Sequence, residues 1–235
     1  QTGRPDNAAL RFPLRPQNEP GHTYRSYCRH HRLKVTMDII LASGSPRRQM
    51  LLRELGWNIK VMVPDTEESQ MPKESPEEMV CRLAYEKALS VHGGCPDSWV
   101  IGADTVVTSA GEILGKPSGR DDALRMIQKL QGKIHAVVTG VALFAPDGRR
   151  LVEAEKTYVR FRALDDKEIS SYVESGESFD KAGAYAIQGK GMLLVESIEG
   201  CYFNVVGLPV QRLSRMFGDL GWPLAEQWRI SQCSI

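Results

Sequence analysis

In the stretch Leu41-Ala-Ser-Gly-Ser-Pro-Arg-Arg-Gln-Met-Leu-Leu-Arg-Glu-Leu-Gly56, two hydroxyls and two guanidinium groups fall where a strand gives way to a helix. Pro46 suits the first helical position, where a missing N–H costs nothing, and Ser45 is the expected N-cap. The start of a helix already carries partial positive charge, so Arg47 and Arg48 in its first turn are unfavourable unless an anion is also there. The alternatives are a phosphate site and a solvated Arg pair beside a routine cap. Leu51, Leu52 and Leu55 form the stripe expected to face the core, which would turn at least one guanidinium into a cleft.

Three further charges ask for partners. Asp104 stands in Trp99-Val-Ile-Gly-Ala-Asp-Thr-Val-Val107, a strand otherwise apolar at this end, so its carboxylate needs a cation, a metal or hydrogen-bond donors. Lys87 falls on the apolar stripe of a helix, at i+4 from Leu83 and i+7 from Val80. It either snorkels from the edge of the stripe or aims an ammonium into a cleft. The acidic loop Pro64–Ser69 contains Glu68, and acidic loops are most often solvated turns. Gly111-Glu-Ile-Leu-Gly-Lys-Pro117 is one residue short of a P-loop, with proline where Ser or Thr is needed, so a Walker A site is rejected. Lys116 precedes a proline and should be extended, as a lysine reaching from a loop would be.

These groups must be held by the surrounding elements. Asp38–Ala42 reads as a buried strand and Trp57–Val63 as a second. Ser75-Pro-Glu-Glu78 is a capping box opening a helix to about Val91. A helix over 121–131 follows, then strands at about His135–Phe144 and Arg150–Phe161 around the turn Pro146-Asp-Gly148. These two should be antiparallel, so the sheet should be mixed. A helix from about Leu164 to Ser175 precedes the Gly-rich segment Asp180–Gly191, which carries Lys181, Gln188 and Lys190 and leads into a strand at Met192–Val195. Asn204–Pro209 should open the last helix, and from Trp222 a loosely held tail is expected.

The 235 residues suit one large domain or two lobes around a cleft. Formal net charge is +1, but residues 1–36 hold seven Arg and Lys against Asp6 and Glu19, which leaves the body at −4. That argues against a nucleic-acid surface as the main business. Cys28, Cys81, Cys95, Cys201 and Cys233 are scattered, with no C-x-x-C, as reduced thiols in an intracellular compartment would be. No apolar run approaches spanning length and no signal-peptide core stands out, so a soluble, cytoplasmic protein is expected. Residues 1–36 lack periodicity and read as a poorly ordered extension, with an organellar leader as the alternative. His30-His31 lack carboxylate or thiol neighbours and read as tail residues rather than a metal site. Met37 stands immediately before the first strand, so the compact fold is expected to begin there.

Leu-Ala-Ser-Gly-Ser-Pro-Arg-Arg at 41–48, Gly-Ala-Asp-Thr at 102–105, Gly-Lys-Pro at 115–117, Lys-Ala-Gly-Ala-Tyr-Ala-Ile-Gln-Gly at 181–189 and Val-Gly-Leu-Pro at 206–209 together resemble the Maf nucleotide pyrophosphatases. The resemblance spans about 37–217, which implies a domain organisation of 1–36 as extension, 37–217 as catalytic body and 218–235 as tail. It implies an elongated α/β fold related to inosine triphosphate pyrophosphatases, with a mixed β-sheet, flanking helices, a deep cleft between two lobes and often a homodimer. It also implies hydrolysis of nucleoside triphosphates to monophosphate and pyrophosphate, with Mg²⁺ or Mn²⁺. The family's cleft positions match Ser43, Arg47, Arg48, Glu68, Lys87, Asp104, Lys116 and Gln188. Ser-Pro-Arg-Arg, Gly-Ala-Asp-Thr and Ile-Gln-Gly resemble the branch acting on dTTP, UTP and related pyrimidines, and the chain departs from the pattern at Ala186, where Gly is usual.

On this reading Arg47, Arg48, Lys87 and Lys116 surround the triphosphate, Glu68 and Asp104 hold the metal, and Asp104 also orients and deprotonates the attacking water. Ser43 would bond a phosphate oxygen, and Gln188 with its loop would line the base or sugar end. A regulatory nucleotide- or nucleic-acid-binding module is the rival from another class, since the family is also linked to septum formation. A phosphatase releasing orthophosphate is a second rival.

Overall fold

Four consecutive buried residues make β1 (Ile39–Ala42), the strand the hydrophobic run called for. The structure, a computed structural model, describes residues 37–66 and 68–230. The expectations for residues 1–36, including His30-His31, Cys28 and the basic charge excess, lie outside the described residues, as does Cys233. The remaining strands are β2 (Ile59–Val61), β3 (Trp99–Ser109), β4 (Glu112–Leu114), β5 (Ile134–Phe144), β6 (Arg150–Phe161) and β7 (Val195–Glu199). They form a seven-stranded sheet in the order β2-β1-β3-β5-β6-β7, with β4 paired to β3. β1 runs parallel to β2 and β3, while the β3–β4, β3–β5, β5–β6 and β6–β7 pairs are antiparallel, so the sheet is mixed as expected.

The helices are α1 (Pro46–Glu54), α2 (Pro76–His92), α3 (Arg120–Leu130), α4 (Asp166–Glu174), α5 (Tyr202–Val206), α6 (Val210–Asp219) and α7 (Leu224–Ile230). Side chains alternate across a strand, so each face of the long central strands can be read from its parity. Val100, Ala142 and Phe144 pack with Ala84, Ala88 and Val91 of α2, and Val106 and Val138 pack with Val80 and Leu83. The opposite face carries two clusters. Ile101, Ala103, Val141 and Leu143 meet Leu51 and Leu52 of α1 and Leu213, Met216 and Phe217 of α6. Val107, Val137, Val159 and Phe161 meet α3 and α4 through Ile127, Leu130, Ile169 and Val173. Between these clusters the strands place Thr105, Thr139 and Thr157, a polar seam capped by the buried Asn204 of α5.

α2 sits unusually close to the sheet. A Cβ at Gly102 would lie 2.1 Å from the Ala84 carbonyl oxygen, and one at Gly140 would lie 2.2 Å from that of Val80. Only glycine lets helix backbone and strand backbone approach this far. That approach sets how near a side chain on α2 comes to one on β3.

Several local expectations change. Ser45 occupies the N-cap position of α1, but its side chain makes no cap bond. Leu55 ends up as the C-cap, one residue past the end of the helix at Glu54, and is exposed rather than in the buried stripe. The segment expected as a strand at Met192–Val195 is a 3₁₀ turn over Gly189–Leu193, and the strand begins at Val195, since glycines at 189 and 191 favour the tighter turn. α6 is not the last helix. Trp222 is buried against Trp57, Trp99 and Phe217, and Gln227 of α7 donates to the Ser214 and Trp222 carbonyls, so the loosely held tail is corrected for residues up to 229. Ala186 stands outside the positive-φ residues, so the missing glycine there carries no backbone strain.

Candidate active site

The turn after β1 and the start of α1 supply the first wall of the site. Helix α1 has no acidic residue in its first turn, which leaves its positive end uncompensated by its own side chains. Arg48 turns inward and is buried. Its Nε donates to the Gly207 carbonyl at 2.8 Å, Nη1 donates to Ser43 Oγ and to the Ala103 carbonyl at 2.9 Å each, and Nη2 donates to Thr105 Oγ1 at 3.0 Å. Burial lowers its pKa from the ordinary arginine value, an effect partly opposed by the charge of Asp104. Four neutral oxygens thus take up most of the five donors of the guanidinium fork. Arg48 stitches together the β1 turn, the middle of β3 and the turn after α5. Arg47 points the other way, with Nη1 at 3.8 Å from Asp180 Oδ2. The sequence treated the two arginines alike; the structure gives them different work.

The capping box Ser75–Glu78 fixes the start of α2, and the helix delivers Lys87 to the sheet three turns later. Its ammonium is buried and donates to Asp104 Oδ1 at 2.6 Å and to Glu68 Oε1 at 2.5 Å. A buried ammonium and a buried carboxylate are tolerable only because each is the other's partner. Burial tends to raise the Glu68 pKa, but the hydrogen bond and charge of Lys87, with the charge of Lys116, hold it below the ordinary carboxylate value. Lys116 Nζ, largely exposed, stands 3.5 Å from Glu68 Oε2. Lys87 was expected against the triphosphate; here it bridges the two carboxylates expected to hold the metal.

All eight positions carried over from the resemblance line a single cleft of about 700 Å³: Ser43, Arg47, Arg48, Glu68, Lys87, Asp104, Lys116 and Gln188. Apolar side chains including Val63, Phe179, Tyr185 and Ile187 complete its walls. Such a mixture suits a ligand with a charged end and a flat, less polar end. The sequence missed Thr105, which takes a hydrogen bond from Arg48 on the face of β3 opposite Asp104. A hydroxyl next to a buried carboxylate on one strand was the available signal. It also missed the Gly207 carbonyl, a backbone group with no side-chain signal, and Asp180 as the partner of Arg47. Among the described residues no group of three or more His, Cys, Asp or Glu gathers to hold a metal. Glu68 and Asp104 converge on one ammonium, and two hard-oxygen carboxylates suit a cation such as Mg²⁺, which draws its other ligands from phosphate and water.

A family model described as Maf-like protein matches residues 38–220. The chain belongs to the Maf family. Among curated Maf relatives, the dTTP/UTP pyrophosphatase of Symbiobacterium thermophilum is 49% identical over 186 residues, covering 79% of this chain and 95% of the relative. The dTTP/UTP pyrophosphatase of Acetivibrio thermocellus is 47% identical over 191 residues, covering 78% and 95%. Among solved structures, a nucleoside-triphosphatase, dITP/XTP pyrophosphatase, from Mycobacterium abscessus covers 78% of the Maf chain and 97% of its own at 14% identity and a TM-score of 0.37, too loose an overlay to build on. Among the described residues no helix is long and apolar enough to cross a membrane.

Proposed function

We propose that the chain hydrolyses nucleoside triphosphates to the monophosphate and pyrophosphate, with dTTP and UTP as the substrates its Maf relatives point to. The observation that carries this reading is the single cleft in which the buried Asp104–Lys87 pair, joined by the exposed Glu68, faces the cationic groups Arg47 and Lys116. Water adds to the α-phosphorus, the bond from that phosphorus to the bridging oxygen breaks, and pyrophosphate leaves. Asp104 orients the water and accepts its proton. Arg47 and Lys116, whose present partners are exposed carboxylates, exchange them for phosphate oxygens and offset the charge developing on the leaving group. Lys87 keeps Asp104 and Glu68 facing the cleft. Ser43 Oγ already accepts from Arg48, and its hydroxyl proton is the one available to a phosphate oxygen.

Glu68 and Asp104 are the residues that would hold Mg²⁺ or Mn²⁺, and the bound ion would offset phosphate charge and polarise the P–O bond. Gln188 and Ile187 line the end left for the nucleoside. A cytoplasmic location and a homodimer fit this reading and are part of it. Turnover of a panel of pyrimidine and purine triphosphates, with pyrophosphate and orthophosphate assayed separately, tests it. Pyrophosphate from dTTP or UTP, lost by orders of magnitude in Asp104→Asn with the fold intact, is expected. Orthophosphate as the first product would favour the phosphatase reading instead.

A further inference from the structure

The segment that carries Ile187 and Gln188 into the cleft is pinned from behind by groups that do not line the cleft. Tyr172, on the last turns of α4, accepts a hydrogen bond at its hydroxyl from the Ala186 amide at 3.3 Å and donates to Glu177 Oε1 at 3.3 Å. The same Oε1 accepts from the Gly191 amide at 3.0 Å, and Oε2 accepts from the Lys190 amide at 2.9 Å. One carboxylate therefore holds both ends of residues 186–191, the near end through a tyrosine and the far end directly. The backbone is shaped to accept this clamp. Gly189 has φ +66°, and a Cβ there would lie 2.5 Å from Glu177 Oε2, while a Cβ at Gly191 would lie 2.0 Å from the Ala186 carbonyl oxygen. A charged acceptor with two amide donors and a phenol is stronger than neutral bonds of the same geometry, so the turn between is held rigidly.

We propose that Glu177, acting through Tyr172 and the backbone of residues 186–191, is a positioning residue that sets Gln188 against the nucleoside of the substrate. The inference rests on the nucleotide reading above. It explains why a carboxylate remote from the reacting phosphates is spent on backbone amides at this turn, and it places control of nucleoside binding outside the cleft.

The test is a kinetic cycle with dTTP on four full-length proteins: wild type, Glu177→Gln, Gln188→Ala and the double variant. In Glu177→Gln an amide nitrogen faces an amide donor and the clamp opens on one side. KM should rise about tenfold with kcat within about threefold, a size in line with coupling between residues of one hydrogen-bond network. In the Gln188→Ala background the same change should move KM by less than about twofold, because the side chain being positioned is gone. An equal rise in both backgrounds, or a fall in kcat at unchanged KM, overturns the proposal. Should Glu177→Gln fail to fold, Tyr172→Phe removes only the hydroxyl, and its KM effect must likewise shrink in the Gln188→Ala background or the proposal is overturned. Failure of the wild-type protein to hydrolyse any nucleotide is a different result, seen before any variant is compared, and it removes the functional reading itself.

Discussion

Gly102→Ala perturbs the site without touching any group that would meet substrate. The backbone at 102 is not in the left-handed region, so alanine meets no conformational penalty there and the effect is steric. The added Cβ lies 2.1 Å from the Ala84 carbonyl oxygen and 2.9 Å from the Ala88 amide nitrogen. Relief from 2.1 Å to the 3.4 Å of ordinary contact needs a retreat of about 1.3 Å, and the atoms to be moved are helix backbone rather than a flexible side chain. Overpacking of this kind costs about 1–3 kcal/mol, and rigid neighbours put this case at the upper end. Lys87 rides on the same helix one turn further on. If α2 retreats as a body, the 2.6 Å contact between Lys87 Nζ and Asp104 opens toward about 3.9 Å and the direct hydrogen bond is lost. Misplacement by about 1 Å in a catalytic cluster can cost on the order of 10²-fold in turnover. Urea denaturation and kcat/KM for dTTP read the two effects. Gly93→Ala is the control, since nothing lies within 4 Å of a Cβ there and its φ of −58° is helical, so it should be neutral or more stable by about 0.4–1 kcal/mol. Gly102→Ala as stable and as active as Gly93→Ala would refute the claim that close helix–sheet approach positions Lys87.

Arg48→Lys should behave as a disruptive change, because a single ammonium cannot serve oxygens spread over three segments; a loss of about 2–4 kcal/mol is expected in chemical denaturation, from buried acceptors left unpaired. A loss under about 0.5 kcal/mol would show that the four contacts are incidental. Burial pushes the His135 imidazole down to about 4, with Nε2 paired to the Tyr185 hydroxyl. Its folded pKa lies below the unfolded value near 6.5, so the unfolded chain binds the proton first as pH falls, and stability is lost between about pH 6.5 and 4. That window is worth about 3 kcal/mol by the linkage relation, and His135→Gln should flatten that part of the stability–pH curve. An unchanged slope in the variant would assign it to other groups.

The parts of this fold written in local chemistry were legible in the sequence. Pro46, the capping box at Ser75–Glu78 and the turn at Pro146–Gly148 each act through neighbours in the chain, and the elements they bound lie where expected. Lys87 and Asp104 were legible for another reason: each was a charge on an apolar surface, and two such misfits in one domain tend to answer each other. The partners that bury Arg48 were not legible, because its acceptors at Ala103 and Gly207 are carbonyls, brought near only by the fold, and carbonyls have no sequence signature. The clamp at Glu177 was invisible for the same reason, since its partners are the amides of Lys190 and Gly191. Trp222 was taken for a tail residue because it follows the last clear amphipathic pattern, and its burial depends on Trp57 and Trp99, from two distant segments, closing a pocket with the nearby Phe217.

The central claim is that water activated by Asp104 attacks the α-phosphorus in the cleft. Hydrolysis of dTTP in ¹⁸O-labelled water, followed by mass spectrometry of both products, tests it most directly. The account predicts one ¹⁸O in the thymidine monophosphate and none in the pyrophosphate. Label in the pyrophosphate would mean attack at the β-phosphorus and would contradict the assignment of the groups around Asp104.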